Sequence, residues 1–168
     1  MPPDLHGDPQ SGVAEALSGF PSGVTLVTAA DGRDDIGTTV TAFCPVSFVP
    51  PLVAVSLIAE SYPAEVLARL DWFAVTILAA AQRVLAGRFA VAGRPGARLL
   101  LEGVPHRRGE QSGALIPDGG LAALECLTER RVPAGDHLLL LASVREVPYV
   151  SESNDPLIRF AGRYRALC

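Results

Sequence analysis

The sequence predicts a mainly β domain, a closed or split β-barrel with a few helices packed outside it. Three observations carry this. Short β-branched and aromatic runs recur along the chain, punctuated by Gly, Pro and Asp turns. Helical periodicity is confined to a few brief segments. Strands and helices do not alternate in the βαβ manner, and no Gly-rich fingerprint follows the first strand, which disfavours a Rossmann sheet. The length of 168 residues suits one domain, and 49% apolar with 19% charged residues is the composition of a globular chain.

Residues 1–11 are rich in Pro, Gly and Asp and are expected to form a tail, with the domain over 12–168. Val13–Leu17 suggests a short helix ended by Gly19 and Pro21. VTLVTA (Val24–Ala29) is β-branched and runs into the turn Asp31-Gly32-Arg33-Asp34. IGTTVTAF (Ile36–Phe43) follows, so the two runs read as a hairpin. Pro50-Pro51 start a third strand, LVAVSL (Leu52–Leu57). Pro63–Leu70 reads as a helix: proline suits its first turn, and Val66, Leu67 and Leu70 fall at helical spacing. FAVTIL (Phe73–Leu78) is a fourth strand, and Ala79–Ala90 a further helix. Residues 91–120 are rich in Gly, Pro and Arg, which predicts loops with short strands. Leu121–Val132 and His137–Val150 are long strand-like runs joined by the turn Pro133-Ala134-Gly135-Asp136. The four leucines of the second run read as a strand buried on both faces. A last strand is expected within Leu157–Arg165. Strands apolar on both faces need cover outside as well as inside, from a helix or a second subunit, so a homodimer is expected.

Charge and composition narrow the function. The net charge is −4 with no basic block, which argues against nucleic acid as a partner. No apolar run approaches the roughly 20 residues of a membrane span. The start MPPDLHGDPQSG lacks a basic n-region and an apolar h-region, so a cytoplasmic protein without a signal peptide is expected. All 14 basic residues are arginine. An anionic partner must therefore be held by arginine, hydroxyls or backbone N–H groups. Cys44, Cys126 and Cys168 show no CxxC spacing, and His6, His106 and His137 no HxH or HExxH pattern, so neither a disulfide scaffold nor a metal site is expected.

Candidate site residues come from a few places. If GTTVTAF is one strand, Thr39, Thr41 and Phe43 share a face, and Thr38, Val40 and Ala42 share the other. The hydroxyl pair reads either as ordinary strand propensity or as a polar rail along a ligand. Ser56 and Ser61 are either turn residues or a phosphate cradle. Arg88-Phe89 closes a helix, where arginine complements the dipole and phenylalanine suits a core, or both serve a ligand. His137 stands before an apolar strand and beside Asp136. A carboxylate there can fix an imidazole's tautomer or favour its protonated form, which suits an anionic ligand group. Arg163 and Tyr164, in GRYR, read as a solvated terminal strand or as a pocket border. GxSxG, P-loop and triad patterns are missing. Such residues bind and orient a cofactor that carries the hard chemistry, and no catalytic acid or base is expected.

FPSGVTLVT, GTTVTAF, PVSFVPPLVAVSL, FAVTIL, the helix end Ala-Gly-Arg-Phe-Ala, AGDH before an apolar strand, and GRYR occur in this order. As a set, over about Gly19–Arg165, they resemble the flavin reductase family with the FMN-binding split-barrel fold, the reductase components of two-component flavin-dependent monooxygenases. The resemblance implies a homodimeric split barrel that binds FMN or FAD without a covalent link. NADH or NADPH would give a hydride to flavin N5, and reduced flavin would leave for a separate oxygenase. Thr39, Val40, Thr41 and Ala42 would run beside the isoalloxazine, partly through backbone groups. Ser61 would lie in the phosphate loop, Phe89 near the flavin, and His137 on the nicotinamide side. Arg163 and Tyr164 would border the pocket. The chain shows no arginine cluster for a 2′-phosphate, which favours NADH, and FAD is the favoured flavin.

The phosphate loop departs from the family's usual Arg-Ser-Ser-x-Thr-like run. Here it reads Ala59-Glu60-Ser61-Tyr62-Pro63. A carboxylate beside a phosphate is unfavourable. Losing one charge-assisted hydrogen bond costs about 1.5–3 kcal/mol, or roughly ten- to a hundredfold in affinity. Weak flavin binding, micromolar or worse, is therefore expected, with flavin handled as a substrate. A flavin- or small-ligand-binding barrel without turnover is the competing reading. A pyridoxamine-phosphate-type oxidase would want a dense basic phosphate site, which this lysine-free chain does not show.

Overall fold

The computed structural model describes residues 9–32, 34–152 and 155–167. Residues 1–8 of the expected tail, Arg33 of the expected turn, His6 and Cys168 lie outside them. The first helix, α1 (Pro9–Ser18), begins four residues before Val13, so residues 9–11 are helical rather than tail. It is followed by β1 (Ser22–Gly23), β2 (Thr25–Asp31) and β3 (Asp34–Val40). The β2–β3 hairpin has the expected two-residue loop, with Asp31 opposite Asp34 and Gly32 at φ +59°. That left-handed conformation is what glycine supplies at no steric cost.

The predicted strand Ile36–Phe43 does not run unbroken. β3 stops at Val40, Thr41 and Ala42 form a bend, and β4 (Phe43–Phe48) starts a new strand. The reason is topological. β5 (Pro51–Ile58), β6 (Trp72–Ile77), β9 (Ala122–Ala134) and β10 (His137–Val150) complete an antiparallel seven-stranded sheet in the order β3-β2-β6-β9-β10-β5-β4. β3 and β4, consecutive in the chain, are thus its two opposite edges. In a flat sheet those edges would stand about 29 Å apart, at roughly 4.8 Å per strand. The Val40–Phe43 connection reaches about 11 Å at most. The sheet must therefore curl until its edges approach. No ladder joins β3 to β4 among the described residues, so the curled sheet is open and not a closed barrel. The crossing is tied to β5 by the Ser56 N–H, which donates to the Ala42 carbonyl at 2.9 Å.

The helix α2 (Tyr62–Arg69) fills the open seam. Its Pro63, Ala64, Val66 and Leu67 are buried, and the last three pack with Ile36, Val40, Val53 and Val55 inside the curl. Outside the sheet, a 3-10 turn (Ala80–Gln82) leads into α3 (Arg83–Ala90), so the expected helix Ala79–Ala90 has a tighter first turn. Next come α4 (Ala97–Leu100) and the small hairpin β7 (His106–Arg108) and β8 (Leu115–Pro117). Leu85, Phe89, Ala97 and Leu101 form a second core against Val24 and Leu26. A separate three-stranded sheet, in the order β1-β11-β12, contains β11 (Ile158–Phe160) and β12 (Arg163–Arg165).

Within one protomer, β10 is covered on one face: Leu140 and Ala142 are buried, while Leu139 and Leu141 are half-exposed, and the expected outer cover could come only from a second subunit. β2 is buried on both faces, with Val27 and Ala29 in the inner core and Leu26 in the outer one, and so is β6, with Phe73 and Val75 in the inner core and Ala74 packed on its other side. α3 packs against β2 from outside.

Gly37 on β3 sits where the second core meets the strand. A Cβ there would lie 2.5 Å from Phe89 Cε1, inside any tolerable contact. Gly37→Ala forces the buried ring to move and is expected to cost about 1–3 kcal/mol. The melting temperature should fall by roughly 2–10 °C. An unchanged melting curve would contradict this packing.

Candidate functional site

A cleft of about 740 Å³ lies over the seam between β3 and β5. Its first wall is the edge of β3. The Gly37 carbonyl accepts from Arg94 Nε at 2.7 Å, so it is turned away from β2. By strand alternation the N–H and C=O of Thr39, two residues on, are turned the same way. The intervening carbonyls face inward, as Val40 shows by accepting from Thr25 Oγ1 at 2.7 Å. This edge offers hydrogen-bonding groups that no ladder uses.

The Thr39 hydroxyl is not part of that edge. It donates to the Ala86 carbonyl of α3 at 2.7 Å, anchoring the helix to the strand. Thr39 therefore meets the cleft through its backbone, and the side-chain rail along β3 is not what the fold builds. Val40 likewise buries its side chain in the inner core, whereas Thr41 and Ala42 are exposed at the bend. The opposite wall is Ser56, Leu57 and Ile58 of β5.

One end of the cleft is the loop Glu60–Pro63. Ser61 caps α2: its hydroxyl accepts from the Ala64 N–H at 3.3 Å. The β9–β10 turn is drawn to this loop because the Ala59 N–H donates to the Asp136 carbonyl at 2.9 Å. Gly135, at φ +63°, makes that turn tight enough to place His137 in the lining. The imidazole Nδ1 and the Asp136 carboxylate are 2.7 Å apart. With Nδ1–H donating to the carboxylate, Nε2 is left for a ligand. The hydrogen bond and charge of His137 hold the Asp136 carboxyl below its ordinary range.

Seven of the ten residues proposed from the sequence line this cleft: Thr39, Val40, Thr41, Ala42, Ser56, Ser61 and His137. Three do not. Phe89 is fully buried in the second core, behind Gly37, so it supports the strand and is not a face of the cleft. Arg163 and Tyr164 belong to the separate three-stranded sheet, where Tyr164 packs on the second core and lies under Arg159. Within one protomer neither borders the cleft.

The sequence reading missed Arg94. It forms the third wall with Gly93, Pro95 and Gly96. Half-buried, it also donates from Nη1 to the Val91 carbonyl at 2.9 Å, which fixes the loop after α3. Its one signal was an arginine set between Gly93 and Pro95-Gly96 in a stretch read as plain loop.

At the start of β3, which also lines the cleft, the buried Asp35 carboxylate binds Arg98 of α4 and Arg108 of β7. Burial alone would raise its pKa, but the two guanidiniums outweigh this and the net shift is downward. A carboxyl with a depressed folded-state pKa stabilises the protein above its unfolded pKa, about 3.9. That contribution is lost as pH falls through the folded value. Thermal stability should therefore drop steeply below about pH 4. Asp35→Asn should lower stability at pH 7 and flatten that acid limb. An acid limb of equal steepness in the variant would exclude this role.

The comparisons with known proteins bear on this geometry. Residues 17–167 match the family described as flavin reductase like domain. This chain belongs to the flavin reductase family. It is 37% identical over 153 residues to the reductase component of 4-hydroxyphenylacetate 3-monooxygenase of Thermus thermophilus, covering 91% of this chain and 93% of that protein. It is 36% identical over 156 residues to an NADH-dependent FMN reductase of Streptomyces nodosus subsp. asukaensis, covering 90% and 82%. Among solved structures, the NADH:FAD oxidoreductase of Streptomyces globisporus in complex with NAD and FAD fragments superposes with a TM-score of 0.88 at 31% identity. That match covers 96% of this chain and 95% of the other. In this flavin reductase, no helix among the described residues is long and apolar enough to cross a membrane.

Proposed function

We propose that the protein is an NADH:flavin oxidoreductase that reduces FMN or FAD and releases the reduced flavin to a separate monooxygenase. The observation that carries this reading is the cleft itself. It sets an unpaired strand edge, suited to the polar rim of a flat ring, beside an imidazole held by a carboxylate. The family and the named activities of its relatives support the same reading.

In the reaction, hydride leaves nicotinamide C4 with its electron pair and arrives at flavin N5. The transfer needs no side-chain acid or base. It needs the two atoms held about 3–3.5 Å apart with aligned orbitals. The chain's task is therefore positional. The backbone at Thr39–Ala42 seats one ring, Ser56 and Ser61 border it, and His137 orients the other ring's substituents. Phe89 acts only by supporting Gly37. No resident flavin is required: the Glu60 loop binds phosphate poorly, and flavin exchanges as a substrate.

The active unit is a homodimer on this reading. Val46, Phe48 and Val49 at the end of β4 are exposed, Phe48 and Val49 by 89% and 92%, and Leu139 and Leu141 of β10 are only half-covered. An apolar face of this kind is ordinarily covered by a partner. The protein works in the cytoplasm, where NADH is supplied.

The test is NADH oxidation at 340 nm with added FMN or FAD, alongside isothermal titration of each flavin. Turnover with dissociation constants in the micromolar range is the expected result. Flavin binding without NADH consumption would favour the non-catalytic carrier, and a nanomolar flavin complex would overturn the substrate role.

A further inference from the structure

The relatives include both FMN and FAD reductases, so the flavin each one uses is a property of its own cleft. Two features of this cleft bear on that choice. The first is the supply of donors at the α2 end. A helix N-terminus ordinarily offers free N–H groups to an anion. Here the Ser61 N–H donates to the Ile58 carbonyl at 3.0 Å, and the Glu65 N–H to the Ser61 carbonyl at 3.0 Å. The Ala64 N–H donates to the Ser61 hydroxyl at 3.3 Å, and Pro63 has no N–H to give. What remains is flanked by two carboxylates, exposed Glu60 in the loop and Glu65 in the first helical turn. The site is poor in donors and negatively charged.

The second feature is Arg94, which lines the same cleft in the wall formed by the loop after α3. Arg69, Arg98, Arg107, Arg108, Arg131 and Arg145 each pair with a carboxylate. Arg94 pairs with none among the described residues, and only backbone carbonyls hold its Nε and Nη1. Burial lowers its pKa with no carboxylate to offset the effect. A guanidinium nevertheless stays charged, and Nη2 keeps its hydrogens for a ligand.

Resting on the reductase reading, we propose that charge layout selects the flavin: Arg94 receives the anionic tail, Glu60 repels a terminal phosphate, and FAD is preferred over FMN. The chemistry of the two tails differs in the right way. A phosphate monoester loses its second proton near pH 6, so FMN concentrates almost two charges at one terminal group. The FAD pyrophosphate, esterified at both ends, carries one charge per phosphorus on a longer tail. Riboflavin has no phosphate and gives the baseline for ring binding alone.

The test compares kcat/KM for riboflavin, FMN and FAD with NADH, and equilibrium dialysis of each oxidised flavin. Wild type should favour FAD over FMN by about tenfold. Glu60→Gln, on an exposed loop, should narrow that ratio at least about threefold by relieving FMN. Arg94→Ala should cut the FAD-to-riboflavin ratio by about tenfold, and Arg94→Lys should restore part of it. For wild type, added salt should weaken FAD more than riboflavin. Equal use and equal binding of FMN and FAD, or an FMN-to-FAD ratio indifferent to Glu60→Gln, would overturn the proposal. If no flavin is turned over but dialysis gives this ranking, the charge layout stands and the reductase reading falls. If turnover is present and the ranking is flat, the reverse holds.

Discussion

His137→Ala is expected to lower kcat/KM for NADH by about 10- to 100-fold, chiefly by raising KM. The range is what the loss of one oriented hydrogen bond to a charged or strongly polar group is worth, about 1.5–3 kcal/mol. His137 sits at the cleft only because three local features agree. Gly135 permits a two-residue turn, the Asp136 carbonyl ties that turn to Ala59, and the Asp136 carboxylate holds Nδ1. Alanine leaves all of the backbone part in place, so folding should be unaffected and the loss should be kinetic. Asp136→Asn keeps an oxygen for Nδ1–H but removes the charge, and a smaller loss is expected, in the range of three- to tenfold. Steady-state NADH oxidation at saturating FAD reads both. If His137→Ala leaves KM and kcat for NADH at the wild-type values, the residue only packs the strand end.

Glu125→Ala is expected to destabilise the fold by about 3–5 kcal/mol, a large part of the 5–15 kcal/mol typical of a domain. Glu125 is 1% exposed, in the first half of β9. Its carboxylate accepts three backbone N–H groups, from Glu110 at 3.0 Å, Gln111 at 2.9 Å and Ser112. It thus organises the loop that joins β7 to β8. Gly109 is part of the same arrangement, because a Cβ there would stand 2.5 Å from Glu125 Oε2. Truncation leaves three N–H donors without their acceptor, the Ser112 N–H in a buried bond and the other two in part-buried ones, each worth up to about 1–3 kcal/mol. Glu125→Gln should fall between, since the amide offers one acceptor and turns an N–H₂ toward donors. Urea denaturation gives the measurement: a wild-type midpoint in Glu125→Ala would mean that these bonds add nothing to stability.

Much of the architecture is written in local pattern. The β2–β3 hairpin follows from β-branched runs either side of Asp31-Gly32, and α2 from Pro63 with Val66 and Leu67 at helical spacing. The β9–β10 hairpin follows from Gly135-Asp136 between two apolar runs. Alternation and turn chemistry act between near neighbours, so a linear reading finds them. The break at Thr41-Ala42 is a different matter. Nothing in GTTVTAF marks it, because its cause is the return of the chain from one edge of the sheet to the other. Glu125 escaped for the same reason, as its partners lie 13 to 15 residues away in the chain. Arg94 escaped because an arginine in a Gly/Pro loop looks solvated until Gly37 and Val91 are seen to hold it.

The sequence by itself determined the mainly β class, most of the long strands and α2, the family, and the segments from which the cleft is drawn. These rest on periodicity, turn residues and an ordered set of motifs, all properties of the chain read in one dimension. Tertiary structure alone decided which groups of those segments face a ligand. It turned Thr39's hydroxyl to α3 and its backbone to the cleft, buried Phe89 behind Gly37, and brought Arg94 and Glu60 into one cleft. The physical reason is that orientation at a site is fixed by who packs behind each residue, and those neighbours come from distant parts of the chain.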